Sequence, residues 1–256
     1  MNYDNSQFDI FEGMTSISAV INSIKDGSSN RTISKIYFDS SKSEKKSREL
    51  GFLKHASSAL GFELCPCDSE FIDSLVSGNT HGGIVMLTSK RSFPNVDVNF
   101  LTNGNFFALI DGLEDPYNFG YSVRSLYAAD VDGIILPERN WMELSGIVAR
   151  SSAGTSELAS IAIGDTFEAA KLFRNNGFEI ACAGIRDSVS LYDYEFSKPT
   201  LLIIGGEKRG ISRKLLELAD VNVRIPYGRK FMGSLPSVSA TSVMAFEIAR
   251  KKGKLQ

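Results

Sequence analysis

The most constraining feature of this sequence is the alternation, from Phe106 onward, of short apolar runs with longer amphipathic stretches. The apolar runs have the length of buried strands, and the stretches between them carry apolar residues at helical spacing. Strands that alternate with helices form a mostly parallel sheet that helices cover on both faces. The sequence therefore predicts an α/β domain over residues 106–256.

Within this domain, five strands and five helices are predicted. The strands are 106–111, 133–136, 179–183, 200–204 and 221–225, and the helices are 119–129, 141–150, 166–175, 213–219 and 238–252. Ligands of open α/β sheets bind beyond the carboxyl ends of the strands. Because the glycine-rich and polar clusters of this sequence follow predicted strands, we expect a ligand site at that edge.

A second, shorter alternation occupies residues 1–90 and predicts a small α/β domain. Its predicted helices are 14–24, 42–60 and 69–76, and its predicted strands are 33–38, 62–64 and 83–87. Residues 91–105 lose this periodicity and contain Pro94 and several asparagines, which is typical of a linker. A chain of 256 residues has room for both domains.

Composition and charge exclude several classes of protein. With 43% hydrophobic and 23% charged residues, the chain is neither disordered nor fibrous. No apolar run reaches the length of about 20 residues that a membrane span needs, and the first residues are polar and acidic, so we expect a cytoplasmic protein without a membrane partner. The three cysteines lack the second Cys/His pair of a zinc site, so no metal is expected. A net charge of −2 means that any RNA would be bound through local basic patches.

Three clusters carry residues suited to chemistry. The first runs from Asp115 to Arg124, where Asn118 is placed to cap the following helix. The second is Gly205-Gly206-Glu207-Lys208-Arg209-Gly210, whose glycines allow a ligand to approach the backbone closely. The third joins Ile225-Pro226-Tyr227 to a run of small hydroxyl residues that opens the last helix and leaves backbone N–H groups free for a ligand.

Each cluster, taken singly, also has an ordinary structural explanation. Arg124 fits a solvent-facing helix arginine, Glu207 a surface ion pair, and the serines near residue 237 helix caps. Nucleotide triphosphate binding is disfavoured because Ile211 stands where a phosphate loop requires lysine. Hydride transfer is disfavoured because no G-x-G-x-x-G motif follows the first strand of the domain.

In combination, the clusters read D-P-x-N-x-G-x-x-x-R, G-x-E-x-x-G and I-P-x…S-L-x-x-x-x-A. In order and spacing they resemble the three motifs of the SpoU-type (TrmH-like) RNA 2′-O-ribose methyltransferases of the SPOUT class, over about residues 106–252. The segment Thr80-His81-Gly82-Gly83-Ile84 also resembles the H-x-G segment that closes the N-terminal RNA-binding domain of many of these enzymes. That domain is similar to ribosomal proteins that bind kink-turns in RNA.

The resemblance implies a trefoil knot at the chain end, S-adenosyl-L-methionine as cofactor, and a homodimer with its sites near the dimer interface. It places Arg124, Asn118 and Glu207 at the catalytic centre. Cofactor contacts are implied for Gly205, Gly206, Ile225, Pro226, Ser234, Leu235 and Ala240. The RNA-binding residues that we expect are Lys208, Arg209, Arg229, Lys230, Lys45 and Lys46, and ribosomal RNA is favoured over transfer RNA because of the extra N-terminal domain.

One departure from the family pattern concerns Pro236, which stands where the third motif normally has asparagine. Ser237 or Ser239 is able to supply the missing polar contact, since a hydroxyl both donates and accepts. Without that contact, turnover would be slow or absent. Because of Pro236, a non-catalytic RNA-binding protein that retains the fold stays open as a rival interpretation. A nucleotide-dependent enzyme on the same kind of sheet is a second rival, disfavoured by Ile211.

Overall fold

The computed structural model describes residues 8–76, 80–102, 104–138 and 145–255. These residues form two compact units. The N-terminal unit comprises the described residues within 1–92 and 140–158, and the C-terminal unit those within 93–139 and 159–256.

The described residues contain eleven strands and ten α-helices. In chain order, the strands are β1 (Asp9–Glu12), β2 (Ile33–Asp39), β3 (Glu63–Cys67), β4 (Ile84–Thr88), β5 (Phe106–Asp111), β6 (Gly133–Leu136), β7 (Ile161–Ile163), β8 (Glu179–Ala183), β9 (Val189–Ser190), β10 (Thr200–Gly205) and β11 (Val221–Arg224). The helices are α1 (Met14–Lys25), α2 (Ser47–Leu60), α3 (Ser69–Leu75), α4 (Val98–Leu101), α5 (Pro116–Ala128), α6 (Ser145–Ser151), α7 (Thr155–Leu158), α8 (Thr166–Asn175), α9 (Arg213–Leu218) and α10 (Ser237–Lys251).

The N-terminal unit is built on a four-stranded sheet of order β1-β4-β2-β3. β4 pairs antiparallel with β1 and β2, whereas β2 and β3 are parallel. Residues of α1 and α2, among them Ile17 and Leu53, are buried with Phe11 in one apolar cluster, and Ile72 of α3 is buried with Tyr37 in another. The unit is thus α/β, as predicted, while its likeness to kink-turn-binding proteins stays a prediction.

Two differences from the predicted N-terminal elements have local causes. The helix predicted from Lys42 begins at Ser47, because Asp39 accepts a hydrogen bond from the Ser41 N–H and starts a separate 3-10 turn at Ser40–Lys42. β1 was not predicted, since four residues are too short to establish a period.

The segment 145–158, predicted as part of the C-terminal domain, packs with the N-terminal unit. Residues 141–144 of its predicted helix lie outside the described residues. Ala149 is buried in the cluster around Phe11, and a Cβ added to Gly146 would lie 2.2 Å from the Ile10 carbonyl oxygen. Glu157 forms a buried ion pair with Arg31, at 2.9 Å between Oε2 and Nε. Long-range packing of this kind leaves no local signature in sequence.

The C-terminal unit contains a seven-stranded sheet of order β7-β6-β5-β10-β8-β11-β9, in which every strand pair is parallel. This confirms the predicted α/β fold with a parallel sheet. Rings of Phe107, Phe173 and Phe178 meet edge to face within the core between β5, β8 and α8. α5 and α10 pack against each other, and α10 also contacts β10.

Residues 93–102, within the predicted linker, pack onto the C-terminal unit. Asn95 bridges to Ile163 of β7, Leu101 of α4 is buried, and the ring of Phe100 lies 5.7 Å from that of Phe107. In the part of the chain that the structure describes, no helix is long and apolar enough to cross a membrane. The knot implied for the chain end stays a prediction.

Candidate functional site

The polar clusters of the sequence meet at one edge of the parallel sheet. Because all its strands run the same way, the loops that follow β5, β8, β10 and β11 leave from the same edge. A cavity of about 640 Å³ opens there, which is within the range of about 300–1,000 Å³ for small-molecule sites. Its lining comes from the ends of β8, β10 and β11, from the loops beyond them and from the start of α10.

The loop after β10 is locked against the end of β5. The Gly206 N–H donates to the Asp111 carbonyl at 2.8 Å, and the Ser212 N–H donates to the Asp111 carboxylate at 3.0 Å. A Cβ added to Gly206 would lie 2.1 Å from the Gly112 carbonyl oxygen, so only glycine fits at that position. Gly205 is equally confined, with the backbone of Gly210 2.5 Å from an added Cβ. The two glycines thus let two backbone segments meet beside the cavity.

The first and second clusters are joined by a direct hydrogen bond. The Asn118 side-chain amide donates to Glu207 Oε1 at 3.1 Å. Asn118 does not cap α5, contrary to the prediction: Asp115 is the cap, accepting from the Asn118 N–H at 2.8 Å, and the helix begins at Pro116. Because Asp115 takes the capping role, the Asn118 side chain is free to orient the Glu207 carboxylate.

The third cluster closes the cavity from the side of α10. The Tyr227 hydroxyl accepts from the Leu235 N–H at 3.1 Å, which fixes the loop between β11 and α10. Pro236 is the N-cap residue, and its carbonyl accepts from the Ala240 N–H at 3.0 Å. α10 has no side-chain cap. The serines at its start therefore do not act as caps, and Ser237 lines the cavity instead.

Most of the residues predicted to bind a cofactor line this cavity. They are Gly205, Gly206, Ile225, Ser234, Leu235 and Ala240, and the predicted catalytic residue Glu207 lies among them. Pro226 is exposed and is not among the lining residues. The functional roles of these residues stay predictions.

Arg124 lies apart from the lining of the cavity. It is exposed on α5, six residues and therefore about 9 Å along the helix axis from Asn118. None of the residues that the structure describes forms a hydrogen bond or ion pair with its side chain. The single chain thus brings Asn118 and Glu207 together and leaves Arg124 on an open helix face.

The basic residues predicted to bind RNA are mostly exposed. Lys208, Arg209, Arg229 and Lys230 follow β10 and β11, close in sequence to residues that line the cavity. Lys208 forms an exposed contact of 3.4 Å with Glu114. Lys45 and Lys46 belong to the N-terminal unit, where Lys46 lies 3.5 Å from Glu49.

One part of the lining was not predicted. Ala183, Gly184, Ile185 and Arg186, at and just beyond the end of β8, form a wall of the cavity. The available signal was the predicted strand 179–183, whose carboxyl end must lie at the same edge as those of its parallel neighbours. The loop lacks a recognisable motif, so residue pattern alone did not mark it.

Nucleophilic cysteine chemistry and metal ligation gain no support from the described residues. Burial, and to a lesser degree the charge of Asp111, raises the pKa of the Cys182 thiol to about 12, so this thiol stays protonated near neutral pH. Within the described ranges, no group of three or more His, Cys, Asp or Glu side chains is arranged to hold a metal ion. The polar groups that line the cavity are the Glu207 carboxylate, the Arg186 and Arg224 side chains, backbone groups and hydroxyls.

Comparison with known proteins gives a family match over the same region. The model of the SpoU rRNA Methylase family matches residues 105–246. A Staphylococcus epidermidis protein assigned to the TrmH family of tRNA/rRNA methyltransferases is 29% identical over 183 residues, which are 69% of this chain and 73% of that protein. A Staphylococcus aureus protein of the same description is 31% identical over 145 residues, which are 56% of this chain and 58% of that protein.

Two solved structures are similar over nearly the whole chain. An AdoMet-bound rRNA methyltransferase from Sinorhizobium meliloti has a TM-score of 0.77 at 22% identity, covering 99% of this chain and 90% of the other. An RNA 2′-O ribose methyltransferase has a TM-score of 0.76 at 17% identity, covering 97% and 90%. At these identities the likeness shows the fold.

Proposed function

Because this chain belongs to the SpoU rRNA methylase family, we propose that it transfers a methyl group from S-adenosyl-L-methionine to a ribose 2′-hydroxyl of structured RNA. One observation carries the proposal: the loops after β10 and β11, with the start of α10, line a single cavity, and the Asn118–Glu207 hydrogen bond ties the loop after β5 to it. These loops carry the three motifs of the family. Similar solved proteins include an AdoMet-bound rRNA methyltransferase and an RNA 2′-O ribose methyltransferase.

The cavity fits such a cofactor by volume, backbone access and charge. Gly205 and Gly206 line the cavity without side chains, so a ligand meets bare backbone at the end of β10. Leu235 and Ala240 offer apolar contact within the lining, and Glu207 adds a carboxylate to it. Arg186 and Arg224 line the cavity too, so its charges are of both signs, which suits a ligand that carries a cationic sulfur and a carboxylate. When bound, S-adenosyl-L-methionine supplies a methyl group that is already activated on a cationic sulfur, so the protein needs no metal to activate it.

The protein then has to align the ribose oxygen and stabilise the charge that develops on it. Alignment alone contributes about 7–11 kcal/mol at best. The guanidinium of arginine stays cationic in proteins, so we assign Arg124, once a dimer brings it to the cavity, to donating to the developing alkoxide and not to acting as a base. Asn118 holds Glu207 in place. The proton leaves to a neighbouring RNA phosphate or to water.

The direct test uses labelled cofactor and bulk RNA. We expect the wild-type chain to transfer label to RNA, and alkaline hydrolysis to leave an intact dinucleotide at each methylated ribose. The Gly206→Ala chain should lose about 5- to 150-fold in cofactor affinity, because an added Cβ would lie 2.1 Å from the Gly112 carbonyl oxygen and would displace a loop that lines the cavity, and overpacking of this kind costs about 1–3 kcal/mol. Calorimetric titration with S-adenosylhomocysteine measures that affinity.

The matched control is Gly164→Ala, where an added Cβ meets its nearest atom, in Val96, at an ordinary 3.6 Å. This variant should bind and transfer like wild type. Absence of cofactor binding by the wild-type chain would overturn the proposal, and label in bases instead of ribose would overturn its reaction type.

Pro236 favours a second candidate function, an RNA-binding protein that retains the fold and has lost turnover. Proline at the N-cap removes the amide side chain that the family motif normally places there. Ser237 supports activity instead, because it lines the cavity and offers a hydroxyl nearby. Cofactor binding without transfer to any RNA would establish the second candidate.

The N-terminal unit supports RNA as substrate, with ribosomal RNA favoured over transfer RNA. Lys42 and Lys46 flank a glycine turn: a Cβ on Gly83 would lie 3.0 Å from Lys42, and one on Gly82 3.5 Å from Lys46. Lys45 is exposed between these lysines in sequence. Such clustered cations contact phosphates without reading sequence. Mapping ribose methylation in cells with and without the gene identifies the RNA and the nucleotide.

A homodimer is supported by the open face of α5 and α10. Tyr117 and Tyr121 of α5 are 43% and 44% exposed, Phe246 of α10 is 40% exposed, and the two helices meet through a 2.7 Å contact between Ser125 and Ser242. Aromatic side chains of this size are enriched at interfaces. Arg124 shares this face with Tyr117 and Tyr121, so a dimer built on it would hold Arg124 at the interface.

We expect sedimentation equilibrium to give twice the chain mass, and Phe246→Asp to shift it toward the monomer. Tyr192→Asp, at a tyrosine that is 49% exposed outside this face, is the control and should leave the mass unchanged. A wild-type chain that sediments as a monomer at micromolar concentration would contradict the dimer.

A further inference from the structure

The loop between β11 and α10 presents two large apolar side chains to solvent beside the cavity. Tyr227, Ser234 and Leu235 of this loop line the cavity. Between them in sequence, Phe231 is 56% exposed and Met232 is 91% exposed. Exposed apolar side chains of this size at the rim of a site are a common mark of a binding surface.

The Phe231 ring has a defined position. It lies edge to face on the Tyr227 ring, with 5.6 Å between centroids and 63° between planes. The Tyr227 hydroxyl in turn accepts the Leu235 N–H. A Cβ on Gly233 would come within 2.7 Å of the Phe231 ring, so glycine at 233 makes the space for the ring. Because the ring is already held, a ligand that stacks on it loses little side-chain entropy.

Positive charge accompanies the ring. Arg229 and Lys230 directly precede Phe231 and are exposed, and neither forms an ion pair with a residue that the structure describes. Cations next to an exposed aromatic ring are the combination with which proteins bind unpaired RNA, since the cations attract phosphates and the ring stacks on a base. A second copy that met this surface through its own loop would bring the same cations together, which disfavours such a copy as the occupant.

We propose that Phe231 is a stacking platform for an unpaired nucleobase of the RNA substrate, at or next to the nucleotide whose ribose reaches the cavity. The inference rests on the proposed function for the identity of the substrate, and it adds a binding subsite outside the cofactor cavity. It also defines the substrate class: the target nucleotide lies in a loop, bulge or other unpaired stretch, since a base inside a duplex has no free face to offer.

The test uses a hairpin RNA with the fluorescent base 2-aminopurine in its unpaired loop, and a second hairpin with the same base in the stem. We expect the wild-type chain to quench the loop probe on binding and to leave the stem probe unchanged. Phe231→Leu keeps apolar bulk but loses the ring, and should bind the loop hairpin about tenfold more weakly without quenching, as expected for one base stack. Phe231→Trp should retain both binding and quenching.

The matched control is Tyr192→Leu, which removes an aromatic ring of similar exposure, 49%, outside the cavity lining. It should bind and quench like wild type. Titration with S-adenosylhomocysteine, in parallel, should give the same affinity for wild type and Phe231→Leu, because Phe231 does not line the cavity.

The outcomes separate the inference from the function on which it rests. Failure of the wild-type chain to bind S-adenosylhomocysteine overturns the proposed function. If wild type binds cofactor and the loop hairpin while Phe231→Leu matches its affinity and quenching, only the stacking platform is wrong. Failure of the wild-type chain to bind the hairpin also overturns the stacking platform. A change in sedimenting mass for Phe231→Leu overturns it as well, because it would show that the ring contacts a second copy.

Discussion

Replacement of Arg124 by lysine is expected to lower the rate of RNA methylation by about 10²–10³-fold, the loss that follows removal of one preorganised donor to a developing oxyanion. Lysine keeps the positive charge but lacks the planar, two-pronged donor geometry of the guanidinium. Cofactor affinity should stay the same, because Arg124 does not line the cavity. Single-turnover transfer of labelled methyl and calorimetric titration measure the two quantities separately.

The matched control is Arg174→Lys, at a helix arginine of the same unit whose side chain is 48% exposed and lies 3.2 Å from Asp220. This variant should methylate at the wild-type rate. Nearly intact activity of Arg124→Lys would remove Arg124 from the catalytic centre and leave Asn118 and Glu207 as its only candidates among the three.

Mixed dimers would show which chain supplies the arginine. Arg124 lies on the exposed face of α5 that we propose as the dimer interface, so it can serve the cavity of the partner chain. Arg124→Lys and Gly206→Ala, each impaired alone at a low cofactor concentration, should then regain activity when they are co-assembled, since one site of the mixed dimer combines an intact cavity with an intact arginine. An arginine that acts within its own chain predicts no recovery.

Replacement of Arg31 by methionine is expected to destabilise the N-terminal unit by about 3–5 kcal/mol, the cost of leaving buried charges without their partner. Arg31 forms buried ion pairs with Asp9 and Glu157, and all three side chains are at most 5% exposed. Burial opposes the charge on Arg31, but Glu157 and then Asp9 outweigh that effect and raise its pKa. Urea unfolding followed by circular dichroism should show an earlier transition.

The control for this variant is Lys35→Met, which removes an exposed ion pair with Glu63 in the same sheet. We expect its unfolding curve to overlay that of wild type, since exposed pairs contribute little. A double variant with methionine at 31 and asparagine at 9 should recover part of the loss, because it removes the charge of Asp9, while Glu157 keeps Arg91 as a partner at 3.9 Å. Equal stability of Arg31→Met and wild type would show that the cluster does not hold the unit together.

Five of the seven strands of the C-terminal sheet were predictable because their signal is local, whereas β7 and β9, with three and two residues, were not predicted. β5, β6 and β8 fall on the predicted residues, since a buried strand in a parallel sheet is a continuous apolar run. The order of the strands within the sheet was not predictable, because it leaves no local pattern in the sequence. β10 lies between β5 and β8, and that insertion depends on contacts between residues about 20 to 95 positions apart.

The residues of the site likewise fall into those that the sequence predicted and those that only the structure brought to the cavity. Gly205 and Gly206 stood out in sequence because glycine after a buried strand signals close backbone approach, and the structure shows that approach at Gly112. The loop at Gly184 lines the same cavity but carries no motif, and only the parallel course of β8 brings it there. Asn118 was expected to cap a helix; Asp115 caps it instead and frees Asn118 for Glu207.

The sequence by itself determined the alternation of strands and helices, the parallel character of the large sheet and the edge at which its ligand site lies. Hydrophobic period is a property of neighbouring residues, and successive strands that are joined through a helix run parallel. Only the tertiary structure decided that Glu157 joins the N-terminal unit, that Asn118 meets Glu207 and that Arg124 stays on an open face. Those outcomes depend on which distant segments pack together, and the free energy of that packing is spread over many residues that no local pattern records.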